Sequence, residues 1–126
     1  MAKQPERRRT RGMDLAGISK EAGLAHFAAE SLYERVLGKF LESKSHAAEE
    51  LRTDLARGDL EAAERVAHSM ISAAGIIGAL ELAAVSQALQ DALHGEKATL
   101  TEALLSAFER QLETVLEGLK THFEKV

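Results

Sequence analysis

The chain of 126 residues is 45% apolar and 29% charged, a balance that suits one compact domain burying about two-thirds of its unfolded surface. It contains no cysteine, which excludes disulfides, thiolate metal ligands and a cysteine nucleophile, and fits a reducing compartment. The formal net charge of −4 conceals a split: residues 1–12 hold Lys3, Arg7, Arg8, Arg9 and Arg11 against Glu6, a local net of +4, so the other 114 residues carry −8.

An acidic body repels phosphate backbones, so nucleic acid is not an expected partner. No apolar run reaches the roughly 18 residues that a membrane span needs, and no apolar core of a signal peptide follows the N-terminus. A cytoplasmic protein without membrane insertion is expected. One Pro, no Trp and 4% aromatic residues remove most strand formers, and the abundance of Ala, Leu and Glu favours helices throughout.

In chain order, "MAKQPERRRTRG" has no hydrophobic period and reads as a disordered basic tail or linker stub over residues 1–12, with the domain spanning 13–126. "MDLAGISKEAGLAHF" predicts a short helix interrupted at Gly17 or Gly23, an appendage to the main body. Next, "AAESLYERVLGKFLESKSHAAEELRTDLARG" sets Leu32, Val36, Leu37, Phe40, Leu41, Leu51 and Leu55 on one stripe, with a bend expected at "ESKSH" and a stop at Gly58. Asp59 is placed to cap "DLEAAERVAHSMISAAGIIG". Gly78 breaks that helix, "ALELAAVSQALQDALHG" forms the next up to Gly95, and Thr99 with Glu102 reads as a capping box for the last. Short connections between long amphipathic helices make antiparallel neighbours. The expected architecture is therefore an all-α, up-and-down four-helix bundle with a short N-terminal helical appendage.

Within "VAHSMISAAGIIGALEL", Ala63, Ala67, Met70, Ala74 and Ile77 follow the spacing of a bundle seam, which Val66 and Ala73 widen. At about 100° per residue, His68 falls outside that seam, on a line with Glu61, Glu64 or Arg65, Ile71, Ser72 and Gly75. Ser69, Ser72 and Gly75 are small, so the imidazole stands behind a low wall that another protein can approach. An apolar Ile71 beside an accessible histidine suggests a docking patch. His26, His46, His94 and His122 have no ligating partner at helical spacing, so no metal site is expected.

The stretch "AHSMISAAGIIGALEL" resembles the signature of histidine-containing phosphotransfer (HPt) domains of bacterial multistep phosphorelays, roughly A-H-x-L-K-G-x-x-x-x-I-G-A-x-x-L. His68, Met70, Ile77, Gly78, Ala79 and Leu82 fall in register without a gap, and the likeness extends over roughly residues 13–120. It implies phosphoryl relay: His68 takes a phosphoryl group from a receiver-domain aspartate and surrenders it to another, with no kinase activity and no cofactor of its own, the receiver bringing Mg²⁺. Response-regulator receivers and a hybrid sensor histidine kinase are the implied partners, and a monomer the implied state. A neutral imidazole, with an ordinary pKa of about 6.5, is a nitrogen nucleophile near neutral pH, and phosphoryl transfer needs positioning and charge stabilisation above all.

Two positions depart from the pattern. Ile71 stands where the family usually has a lysine that neutralises phosphate, and Ser72 where it has glycine. Arg65, one turn before His68, is the nearest substitute cation in sequence, and Gln90 occupies the place of a family glutamine that contacts the histidine. The alternative reading is a degenerate HPt-like or adaptor bundle that docks a receiver or other protein without carrying phosphate.

Overall fold

The computed structural model describes residues 15–124 other than 28 and 96, so the basic tail expected over residues 1–12 lies outside the described residues. Among these residues the chain forms α1 (Lys20–Leu24), α2 (Glu30–Lys44), α3 (Ala47–Ala56), α4 (Leu60–Ile77), α5 (Leu80–His94) and α6 (Ala98–Glu124), and no strand. Helix α4 lies against α3 and α5, α5 against α6, and α6 against α2. With α2 and α3 taken as one broken column, four columns close around a common core, as the spacing implied. Helix α1 is the expected appendage and docks on α2 and α4. None of the described helices is long and apolar enough to cross a membrane.

The α4 seam is as its periodicity requires: Ala63, Ala67, Met70, Ala74 and Ile77 are all fully buried. Three alanines among these five let α3 and α5 approach the α4 backbone closely, so α4 sits at the centre of the packing. From α5 and α6 come Leu82, Leu89, Leu93, Leu105, Phe108, Leu112, Val115 and Leu119, all buried. On α2 the stripe differs from expectation. Leu32 is 43% exposed, and the buried residues are Tyr33, Leu37 and Phe40. Leu37, Phe40 and Leu51 hold their expected places, and only the first position moves, from Leu32 to Tyr33, which buries its ring and donates its hydroxyl hydrogen to the Ile77 carbonyl at 2.8 Å, satisfying a carbonyl left open at the end of α4.

The bend expected at "ESKSH" is a full break. Ser43 and Ser45 donate their hydroxyls back to the carbonyls of Lys39 and Leu41, each at 2.8 Å, and His46 leaves helical geometry at φ −110°, ψ 15°. Such back-bonding competes with the helix ladder and tilts the turn that carries it. As a consequence, α2 ends on Lys44, whose side chain reaches across to α4.

Local stereochemistry sets the two ends of α4. Asp59 Oδ1 accepts from the Ala62 N–H at 3.1 Å, the expected cap. At the far end Gly78 adopts φ 90°, Ala79 N–H bonds to the Ala74 carbonyl at 2.8 Å and Gly78 N–H to the Gly75 carbonyl at 3.1 Å, a Schellman closure. Gly58 closes α3 in the same way at φ 75°. In the appendage, Gly17 turns the chain ahead of α1 and Gly23 lies inside it, packed on the Tyr33 ring and the Ile77 carbonyl, so neither interrupts the helix. The capping box expected of Thr99 is displaced. Thr101 N–H bonds to the Lys97 carbonyl at 2.8 Å, the helix starts at Ala98, and Thr99 sits within its first turn.

Helices α3 and α6 are tied by a two-pronged ion pair: Arg52 Nε and Nη2 donate to the two Glu109 oxygens, the second at 2.8 Å, with Glu102 3.9 Å from the same guanidinium. The hydrogen bonds from Arg52 hold the Glu109 carboxyl below its ordinary range. A lowered folded-state pKa stabilises the fold above the unfolded value and ceases to do so as the pH falls through the folded one. The pair is half exposed, so Glu109→Gln should reduce the unfolding free energy by about 0.5–1 kcal/mol at pH 7. Urea titrations should show that difference shrinking in high salt and vanishing in acid.

Candidate functional site

His68 emerges from α4 on the face opposite the seam and is exposed, together with Ser69, Ser72 and Arg65. The reason lies one layer down: with Ala67 and Met70 fixed in the core, helical geometry leaves position 68 no inward direction. Met70, Ile77, Gly78 and Ala79 are buried, so the matched apolar positions of the motif build the helix and its closure instead of the surface. Gly75, two turns beyond the histidine, is half-buried, and a Cβ placed there would meet nothing within 4 Å. The approach over the imidazole from that side is open.

Helix α5 supplies the contact to the ring. Gln90, half-buried, brings its side-chain amide nitrogen to 3.4 Å from His68 Nδ1, the long end of hydrogen-bond distance. The amide can present either end, and the end presented selects the tautomer. If the amide N–H faces Nδ1, that atom is the acceptor and Nε2 carries the proton. With the oxygen turned inward, Nδ1–H donates to it and the Nε2 lone pair is free. Nε2 has no protein partner among the described residues. One turn along α5 from Gln90, His94 Nδ1 lies 3.6 Å from Glu64 Oε1, so a second polar rung crosses between α4 and α5 just before His68. Among the described residues no group of three or more His, Asp and Glu side chains forms a metal site.

The opposite flank holds what the spacing did not reveal. Lys44, at the C-terminal end of α2, donates from Nζ to Ser69 Oγ at 2.8 Å. It lines a groove between α3 and α4 together with Arg65, Val66, Ser69, Glu50 and Asp54. Arg65, the substitute cation read from the sequence, is thus joined by a lysine 24 residues away in the chain from His68, which reaches α4 from the end of α2. The apolar patch differs from expectation too. Ile71 is half-buried, and the large exposed apolar residue on that face of α4 is Ile76, at 41% exposure. Ile76 follows Ser72 by one turn and stands clear.

Comparison with known proteins adds one finding. The model of a family described as Hpt domain matches residues 35–122, well over half of the chain, including His68, Gln90, Arg65 and Lys44. No curated protein and no solved structure matches.

Proposed function

Because the chain belongs to the Hpt domain family, whose members are phosphocarrier modules of phosphorelays that interact with receiver domains, we propose that His68 is its phosphoryl-accepting residue. The observation that carries this is the exposed His68, engaged by Gln90 through Nδ1 and open at Nε2. With the Gln90 amide turned so that Oε1 accepts from Nδ1–H, the Nε2 lone pair attacks the phosphorus of a receiver's aspartyl phosphate. The N–P bond forms as the P–O bond to the aspartate breaks, and the carboxylate leaves with the bonding pair. The proton stays on Nδ1, so the product is a phosphorylated imidazolium held by the same amide. Reversal onto a second receiver's aspartate regenerates the neutral ring.

Each receiver brings its own acidic pocket and Mg²⁺; this chain contributes the nucleophile, its tautomer and a surface of small residues at Ser69, Ser72 and Gly75. In this reading the phosphoryl group comes from the receiver of a hybrid sensor histidine kinase and leaves to a response regulator, and the chain works as a monomer in the cytoplasm. The test is to incubate it with phosphorylated receivers and look for acid-labile, alkali-stable label. Transfer from at least one receiver is expected. Failure to accept from any cognate receiver, with the chain still docking on it, would overturn the relay in favour of an adaptor.

A narrower prediction concerns Gln90. Gln90→Leu removes the acceptor that fixes the tautomer, and rapid-quench transfer rates should fall about tenfold with no change in the unfolding midpoint. An unchanged rate would remove Gln90 from the site.

A further inference from the structure

Position 71, where the family's signature has a cation, holds isoleucine, yet the surroundings of His68 carry a cation from another helix. We propose that Lys44 is the residue that neutralises the phosphoryl group on His68, reaching it from the end of α2; this rests on the reading of His68 as the phosphoryl acceptor. Three observations support it. First, the ammonium is already seated at the site: Nζ donates to the hydroxyl of Ser69, the residue next to His68, at 2.8 Å. Second, Lys44 and Arg65 form no ion pair with a carboxylate among the described residues, so neither charge is committed elsewhere. Third, the other charges near the ring oppose a phosphoryl group. Glu61 and Glu64 precede His68 on its own helix, Glu64 is shared with His94 of α5, and the chain as a whole is acidic. A dianionic group placed there needs a cation within a few ångströms, and a half-buried lysine anchored by one hydroxyl bond can turn to it with little reorganisation.

Lys44 is the last residue of α2, and its side chain crosses from there to Ser69 on α4. The charge thus arrives from the α2 flank, across the ring from the side that Ile71 occupies. Ser69 is a positioning residue in this scheme, since it holds the ammonium before the phosphoryl group arrives.

The experiment separates this inference from the transfer reading, because small-molecule phosphoramidate can phosphorylate histidine without any receiver. The intact chain and its Lys44→Met, Lys44→Arg and Arg65→Met variants are treated with phosphoramidate, and the ³¹P signal that disappears in His68→Ala is followed against pH. Lys44→Met should raise the titration midpoint of that signal by about half a pH unit and shorten the life of the phosphorylated form roughly threefold. Lys44→Arg should retain wild-type values, and the difference should narrow with added salt. Thermal unfolding of each variant checks that the fold is intact. A wild-type midpoint in Lys44→Met, or an equal shift in Lys44→Arg, would overturn the proposal. A shift in Arg65→Met alone would reassign the charge to Arg65.

Discussion

His68→Ala should abolish phosphoryl acceptance and leave the stability of the chain within about 0.5 kcal/mol of wild type. Both halves follow from the position of the residue. The side chain stands on the exposed face of α4 and makes one long contact, to Gln90, so its removal opens no cavity and orphans no buried group. Alanine is moreover the better helix former by a few tenths of a kcal/mol. The chemical loss should be complete because none of the remaining histidines stands on α4 beside Gln90, and His26 lies exposed in the turn after α1. His122 Nε2 is 2.7 Å from Glu34 and its ring packs edge-on against Phe123; His94 faces Glu64; His46 faces Glu49. Label after transfer from a receiver, read beside a urea unfolding curve, tests both parts. Equal labelling of the variant would move the acceptor to another histidine. A large drop in midpoint would mean that His68 serves the fold.

The elements that could be read from the chain are those fixed by local rules. The α4 seam follows from helical period alone, because alanines and a methionine at that spacing leave one face with no other use. Gly58, Asp59 and Gly78 announce the helix ends because a left-handed turn and a side-chain cap each demand a particular residue type. The orientation of His68 came with the seam. What escaped depends on distant partners. Tyr33 displaces Leu32 from the core because its hydroxyl finds the Ile77 carbonyl 44 residues away, a bond that no local pattern encodes. Lys44 is 24 residues from His68, and its arrival beside Ser69 depends on how α2 packs against α4. Thr99 and Lys97 both stand ahead of an amphipathic stretch, and only the hydrogen bond from Thr101 decides between them. The apolar positions of the motif were legible as a resemblance but describe the scaffold; the departures at Ile71 and Ser72 lie outside it.

The second large effect is expected at Gly78. Two separate penalties coincide there. Its φ of 90° is a conformation that costs an ordinary L residue about 1–2 kcal/mol, and a Cβ at that position would collide with the Ser19 carbonyl and lie 2.8 Å from the Gly23 nitrogen. These are backbone atoms of α1 and its cap, which cannot swing aside as a flexible side chain would. The Gly78 carbonyl accepts from the Ser19 N–H at 2.7 Å, so relief of the clash requires α1 to lift off and give up that bond, with the Gly23 contact to Tyr33 behind it. Gly78→Ala should therefore reduce the unfolding free energy by about 3 kcal/mol or more, a substantial part of what a domain of this size possesses. Gly58→Ala is the matched comparison: its φ of 75° is similarly strained, but a Cβ there meets nothing within 4 Å, so about 1 kcal/mol is expected. Urea midpoints of the two variants, at equal m-values, isolate the clash from the backbone strain. His68 lies ten residues before Gly78, about 15 Å along α4, so the folded fraction of Gly78→Ala should still accept phosphoryl groups. Equal losses in the two variants would mean that α1 contributes nothing to the stability of the bundle and that its contact with the end of α4 is incidental.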